Sequence, residues 1–385
     1  MSHNSLLAFA DGALFIGHSA GYDGIAVGEA VFNTAITGYQ EILTDPSYCQ
    51  QIINFTHPHI GNTGATPIDD EADGILAAGL VARHIPRRYS NWRATQSLPE
   101  FLRDRRVPAI VGVDTRAITR KLRDGGAMAA CIMPQVAVDD EERQKEAVAA
   151  ARAFGDLQGA MLAQEASRRQ SEAWQHGLWQ PATNDYTVQD GGGVHLVVLD
   201  CGIKNAILRH LAARGGRLTV LPYDSKMAAV LAQKPDGVVF SNGPGDPAPC
   251  AAAIALAREL ISRRMPLLGI CLGHQILAAA LGAKTVKMKF GHHGANHPVR
   301  DEVRGRVLIT SQNHGFAVDA ASLPAEVRAT HISLFDGSLQ GLACDSPPVM
   351  TFQGHPEASP GPNDATFLFD DFLSLVRQHK GVKYA

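Results

Sequence analysis

The stretch Pro266–Gln275, reading Pro-Leu-Leu-Gly-Ile-Cys-Leu-Gly-His-Gln, constrains this chain more than any other. Leu267, Leu268 and Ile270 form a short apolar run of the kind that fills a buried parallel strand. Leu272–Leu281 then reads as a helix, with Ile276, Leu277 and Ala280 on one side and Gly282 placed to end it. Cys271 stands at the junction, with Gly269 and Gly273 two residues away on either side. A strand turns this sharply into a helix only where the neighbouring positions carry almost no side chain. The turn presents the sulfur at the carboxyl end of the sheet and at a helix N-terminus, where the dipole favours thiolate. An isolated cysteine in an apolar segment is more often a small buried hydrophobe. The pattern therefore needs a base elsewhere before it means chemistry.

The surrounding sequence supports a sheet of the required kind. From Val194 strands and helices alternate: His195–Asp200, the helix Ile203–Arg214, Leu218–Leu221, the helix Lys226–Gln233, Gly237–Phe240, the helix Ala251–Arg263, then the elbow. This spacing predicts a doubly wound, mostly parallel α/β sheet. Beyond Ala283 the pattern turns to strands, over Thr285–Phe290, Val307–Thr310, Phe316–Val318, Val327–Ser333 and Val349–Phe352, and Thr366–Arg377 closes as a helix. The first part of the chain differs. Short apolar runs at Leu6–Phe9, Ala13–Ile16, Gln51–Phe55, Gly79–Ala82 and Ala109–Val113 read as strands, followed by a helix over Thr115–Leu122. Val138–Ala173 is rich in Ala, Glu, Gln and Arg and reads as helix plus surface linker; Trp174–Asp190 is irregular, and Gly191–Gly193 makes a boundary. The expected domains are a strand-rich N-terminal α/β domain over 1–150, a helical segment and linker over 151–190, and the doubly wound domain over 191–385.

Composition narrows the function classes. Of 385 residues 45% are hydrophobic and 19% charged, with a formal net charge of −3, which gives no reason to expect nucleic acid or an anionic membrane as partner. Arg83, Arg87, Arg88 and Arg93 do interleave with Tyr89 and Trp92, and the whole-chain charge favours a solvated or protein-contacting surface there. The six cysteines are scattered without a Cys-x-x-Cys pair, and no segment approaches the ~20 apolar residues of a membrane span. A cytoplasmic setting is expected. Gly291-His292-His293-Gly294, with His297 nearby, has no carboxylate or cysteine at ligand spacing, so no metal is expected.

Ligands of open parallel sheets bind at the carboxyl ends of strands, and two further segments there carry unusual residues. Ser241-Asn242-Gly243-Pro244-Gly245-Asp246-Pro247 makes a rigid loop with exposed amides, suited to an oxyanion or carboxylate. After Val349–Phe352 comes Gln353-Gly354-His355-Pro356-Glu357. In an extended segment residues two apart point the same way, so Glu357 can hold one nitrogen of His355 and leave the other to take a proton from Cys271. Each segment alone has a structural reading. Three in this order on one sheet are a constellation.

With these residues in view the chain resembles a class I (triad) glutamine amidotransferase, through Asn242–Pro247, Gly269–Gln275 and His355–Glu357. More narrowly it is similar to the small, glutamine-hydrolysing subunits of carbamoyl phosphate synthetase, through Thr37–Ser47, Asp114–Arg116, Lys287–Gly294, Ser311–Phe316, Ser333–Gly337 and Gln353–Pro360. The resemblance implies Cys271 as nucleophile on the side-chain amide of glutamine, His355 as general acid/base and Glu357 as its orienter. It implies an oxyanion hole from the amides of Leu272 and the Gly243–Gly245 loop, and glutamine contacts from Gln275, Asn313, Gly315, Phe316 and, in the first domain, Ser47. It also implies a partner, the large synthetase subunit, which would take ammonia through a tunnel and make carbamoyl phosphate, for arginine and pyrimidine synthesis, from bicarbonate and ATP. No cofactor is expected on this chain; ATP and Mg2+ would sit on that partner, in keeping with the absence of a Gly-x-x-x-x-Gly-Lys loop here. Cys201, after Asp200, stands where an aromatic residue is expected. A free-standing glutaminase, a regulatory subunit with a silent site and an amidotransferase for another acceptor are the competing readings. The N-terminal domain argues against the first and the intact Cys271, His355 and Glu357 against the second. Thr37–Ser47 argues against the third.

Overall fold

The computed structural model describes residues 4–383 and divides into two compact units. The first runs through Gln158 and takes in Lys289–Gly294; the second comprises Gly159–Met288 and the chain from Ala295 onward.

In the first unit seven strands close into a barrel of order β1-β2-β6-β5-β4-β3-β7. They are β1 (Asn4–Phe9), β2 (Leu14–Ser19), β3 (Ala26–Asn33), β4 (Gln51–Phe55), β5 (Gly79–Ala82), β6 (Ala109–Val111) and β7 (Met128–Pro134). Strands β3 to β6 pair in parallel and the other pairs are antiparallel. The sequence pattern anticipates five of these strands and misses β3 and β7. β3 hides behind Gly28 and Glu29, yet the glycine is required: a Cβ there would meet the Gln50 carbonyl at 2.5 Å. The helices are α1 (Tyr39–Thr44), α2 (Leu98–Asp104), α3 (Thr115–Gly125) and α4 (Glu141–Phe154). The Asp114 side chain accepts from the Ala117 N–H at 2.9 Å and starts α3, while Ile118 and Leu122 pack inward against Leu7, Phe9 and Ile110.

The second unit begins with α5 (Leu162–Ala166). Across the end of the expected helix-plus-linker stretch and the stretch that reads as irregular, three short strands form: β8 (Glu172–Trp174), β9 (His176–Gln180) and β10 (Asp185–Val188). β8 pairs antiparallel at the edge of the main sheet, and β9 and β10 form a separate hairpin. All three are short and mostly exposed, so neither a long run nor a buried alternation marks them. The alternation then follows as β11 (His195–Asp200), α6 (Asn205–Ala213), β12 (Arg217–Pro222), α7 (Met227–Ala232), β13 (Gly237–Phe240), α8 (Ala251–Ser262), β14 (Leu267–Ile270) and α9 (Leu272–Leu281). The remaining elements are β15 (Thr285–Asp301), β16 (Arg306–Val318), β17 (Arg328–Ser333), β18 (Leu339–Cys344), β19 (Val349–Phe352) and α10 (Phe367–Lys383).

The sheet order is β16-β15-β17-β18-β19-β14-β13-β11-β12-β8. Its centre, β12-β11-β13-β14-β19, is parallel, as the alternation predicts. Period-two alternation along β11 sends Val197 and Leu199 to one face with α8 and α9, and Leu196 and Val198 to the other with α6 and α10. Phe369 and Phe372 of α10 are fully buried, each contributing roughly 1.5–3 kcal/mol. This two-sided cover fixes the carboxyl ends of β13, β14 and β19 side by side, where the chemistry-bearing segments emerge. Among the described residues no helix is long and apolar enough to cross a membrane.

Candidate active site

The elbow is built by close backbone approach. A Cβ on Gly273 would meet the Phe240 carbonyl oxygen at 2.1 Å, and one on Gly269 would meet the Gly273 oxygen at 2.5 Å. Gly273 N–H donates to the Ser241 carbonyl at 3.0 Å and Cys271 N–H to that of Phe352 at 2.9 Å, so three strands fix the turn. Cys271 itself has φ 53° and ψ −105°, a strained conformation for a residue with a side chain. Such strain persists where the surroundings over-determine it, as at a nucleophile elbow.

His355 and Glu357 follow β19. The His355 N–H donates to the Ser311 carbonyl at 2.9 Å, and its Nδ1 lies 2.7 Å from Glu357 Oε1. Both residues are buried. Burial by itself pushes the imidazole towards neutrality. The Glu357 carboxylate outweighs that and, with the Cys271 thiol adding and Lys204 opposing, raises the pKa to about 10. The other ring nitrogen, Nε2, makes no ordinary hydrogen bond and remains for the thiol. Burial likewise pushes Glu357 up, but Lys204 and then His355 hold it down at about 2.

Sequence reasoning missed Lys204. Only 2% exposed, it precedes α6 and places Nζ 2.9 Å from Glu357 Oε1 and 2.6 Å from the Ala358 carbonyl. A signal was available: Lys204 stands at helical spacing from Ile207, Leu208 and Leu211, inside an apolar stripe where a lone cation must find a buried partner. Gln353 was also unassigned. Its side chain accepts from Gln275 Nε2 at 3.0 Å and donates towards Cys271 Sγ at 3.9 Å.

Of the expected substrate-side residues in the second unit, Asn313 meets the sulfur directly. Cys271 Sγ lies 3.5 Å from the Asn313 carbonyl. Gln275 donates to the Phe316 carbonyl at 2.9 Å, which ties α9 to β16. Gly315 lies between Asn313 and Phe316 on that strand with open space where a Cβ would go. Leu272 opens α9, so its N–H is one of the first-turn donors without an intrahelical acceptor. Gly243 packs on Leu272 Cδ2 and on the Cys201 carbonyl, which a Cβ would meet at 2.1 Å; Gly245 takes φ +87°. Cys201 is wholly buried in the core with Cys250 and Tyr223, and burial pushes its thiol well up. Ser47 belongs to the first unit, in a 3-10 turn over Pro46–Tyr48, where its N–H donates to Asp45 Oδ1 at 2.8 Å. His293 is in that unit too, its carbonyl accepting from Thr34 N–H at 3.2 Å. Among the described residues no group of His, Cys, Asp or Glu is arranged to hold a metal ion.

A cysteine on a strand-to-helix elbow, a histidine–glutamate pair at the next strand end and a glycine-rich amide loop define a class I glutamine amidotransferase domain. The family model described as glutamine amidotransferase class-I matches residues 197–375, and that described as carbamoyl-phosphate synthase small chain, CPSase domain, matches residues 7–132. A carbamoyl phosphate synthase small chain from Pseudomonas putida is 53% identical over 382 residues, covering 99% of this chain and 100% of the relative. That of Vibrio vulnificus is 53% identical over 381 residues (98% and 100%), and that of Polynucleobacter asymbioticus 53% over 383 residues (98% and 96%). Among solved structures, a glutamine amidotransferase from Thermotoga maritima is similar over 49% of this chain and 85% of its own, at 21% identity and a TM-score of 0.36. The chain belongs to the carbamoyl phosphate synthase small chain family.

Proposed function

We propose that this chain hydrolyses glutamine at Cys271 and delivers the ammonia to a large synthetase chain, which consumes it in making carbamoyl phosphate from bicarbonate and ATP. The observation that carries the reading is the buried array of Cys271, His355 and Glu357 at the carboxyl ends of the adjacent strands β14 and β19, with Nε2 of His355 left free for the thiol. Cys271 Sγ adds to the side-chain amide carbon of glutamine, and the thiol proton resides on His355. The Leu272 N–H and the Gly243–Gly245 amides hold the oxyanion. His355 then passes its proton to the departing nitrogen, which leaves as ammonia with the glutamyl group on sulfur. Water, deprotonated by His355, attacks the thioester and releases glutamate. Glu357 holds the imidazole by Nδ1 throughout and stabilises its charged form, and Lys204 keeps Glu357 ionised inside the protein. Gln275, Asn313, Gly315 and Phe316 line the glutamine side within the second unit.

The test supplies glutamine as sole nitrogen source to this chain mixed with an ammonia-dependent carbamoyl phosphate synthetase large chain. Carbamoyl phosphate should form, and glutamine turnover should exceed that of the chain alone, because the partner completes the site. Glutamine hydrolysis without carbamoyl phosphate would refute the partner assignment; no hydrolysis in the mixture would refute the chemistry.

A further inference from the structure

The side-chain amide of Gln353 has an orientation that the main chain dictates. Gln275 meets the Phe316 carbonyl at 2.9 Å, and a carbonyl only accepts, so the Gln275 atom there is nitrogen. The second hydrogen of that nitrogen goes to Gln353 at 3.0 Å, which makes the Gln353 atom facing it oxygen. Gln353 Nε2 is thereby turned towards Cys271 Sγ, 3.9 Å away. Flipping the amide would set two NH2 groups against each other. The residue is fully buried, and its own main-chain N–H is held by the Gln340 carbonyl at 2.8 Å.

The sulfur has a use for that donor. The resting thiol donates to the Asn313 carbonyl of β16 at 3.5 Å. That contact suits the thiol and opposes the thiolate, since a carbonyl oxygen turns lone pairs on the charge. Sulfur carries charge twice in each turnover. It does so before it attacks the glutamine amide, and again when water displaces it from the thioester and the electron pair of the C–S bond returns to sulfur. At both points the His355 imidazolium stands on one side, and a second donor offsets the Asn313 carbonyl. Behind His355 stand Glu357 and Lys204, while His274 on α9 meets Thr351 Oγ1 at 2.6 Å. Burial, and then His331, push His274 down to about 3, so it adds no charge at neutral pH.

We propose that Gln353 is a further catalytic residue of the hydrolytic site: its Nε2–H donates to Cys271 Sγ whenever the sulfur is anionic, steadying it before attack and as the leaving group of the thioester. The inference rests on the reading of Cys271, His355 and Glu357 as the hydrolytic triad. The contact closes as charge develops, because an ionised acceptor draws its donor nearer than a neutral thiol does. A structural role would need only the Gln353 oxygen, which anchors Gln275; the nitrogen at the sulfur is what catalysis adds.

The experiment compares wild type, Gln353→Met and Gln353→Glu in complex with a carbamoyl phosphate synthetase large chain. Methionine keeps the volume and loses both contacts. Glutamate keeps an oxygen for Gln275 and turns a second oxygen, in place of the donor, to the sulfur. Glutamine kcat, KM and the pH profile of kcat/KM are measured, and urea midpoints check the fold. In Gln353→Met kcat should fall about tenfold and the acid limb should move up by about one pH unit, since the thiolate loses one donor. In Gln353→Glu kcat should fall about 10²-fold with KM within about twofold, because Gln275 stays anchored while like charge opposes the thiolate. If Gln353 only anchors Gln275, Gln353→Glu behaves as wild type and Gln353→Met changes KM alone. That result, or an acid limb unmoved in both variants, overturns the proposal. A wild type without glutamine turnover, or a Cys271→Ser variant that retains it, overturns the triad reading itself and this inference with it.

Discussion

Lys204→Met removes an ammonium that is 2% exposed and leaves the Glu357 carboxylate buried with His355 as its remaining charged partner. Methionine nearly matches the lysine stem, so the loss is electrostatic rather than a cavity. Breaking a buried ion pair by removing one member costs about 3–5 kcal/mol, because the other charge is left uncompensated. The pH dependence gives the effect a signature. Burial pushes Glu357 up, and Lys204 leads the groups that hold it at about 2 against 4.5 for a free carboxyl. A carboxylate depressed in this way contributes stability above its unfolded value and loses it as pH falls from about 4.5 towards about 2. That interval corresponds to roughly 3 kcal/mol. In the variant the carboxylate rises to its free value or beyond and this contribution disappears. The wild type should therefore exceed the variant by about 3–5 kcal/mol near pH 7, and the gap should narrow steadily as pH drops below about 4.5. Urea unfolding followed by tryptophan fluorescence reads it: Trp174 and Trp179 lie in the second unit, whereas Trp92, 71% exposed, changes environment little on unfolding. Equal urea midpoints for the two proteins, or a gap independent of pH, would refute the assignment of Lys204.

Glu357→Gln should do the reverse to His355. Burial and Lys204 then both push the imidazole down with no carboxylate to oppose them, so the pKa falls from about 10 to below 6.5. Glutamine kcat/KM should drop about 10²-fold or more near pH 8, with the alkaline limb displaced towards neutrality. In the wild type the raised His355 contributes stability that is complete below pH 6.5 and is lost as pH climbs through about 10, which an alkaline urea series checks. Gly273→Ala would force a Cβ to 2.1 Å from the Phe240 carbonyl and should destabilise the second unit by about 3 kcal/mol or more. Gly315→Ala meets open space, so its urea midpoint should stay unchanged while any rise in glutamine KM reports crowding of the substrate. An electrophilic glutamine analogue near pH 8 should label Cys271 alone by peptide mapping. Burial pushes Cys131 and Cys250 up to about 11 and Cys201 well above the ordinary thiol range.

The parts of this molecule that are legible in sequence are those where local chemistry and global fold agree. Gly269 and Gly273 announce the elbow because no other residue survives such close backbone approach, and the parallel strands of the second unit read as apolar runs because both faces are covered. His355 and Glu357 could be paired by their spacing alone. What the sequence conceals is chemistry distributed across distant segments. Lys204 lies 153 positions from Glu357, so its place in the apolar stripe of α6 signals a buried partner without saying which residue that is. β18 lies between the charged turn at Asp336 and the proline pair at Pro347, and its pairing with β17 and β19 makes it a strand. The barrel of the first unit is hidden for the same reason. β3 and β7 pair with partners that propensity does not identify, and closure is a property of the whole set.

The most direct test of the central claim is to catch the glutamyl group on the protein. The chain, combined with a carbamoyl phosphate synthetase large chain, is mixed with glutamine, quenched in acid during turnover and mapped by peptide mass spectrometry. A γ-glutamyl thioester should appear on the peptide containing Cys271, and be absent in Cys271→Ser and in wild type given ammonia in place of glutamine. Steady glutamine hydrolysis by Cys271→Ser, or an adduct on any other residue, would contradict it.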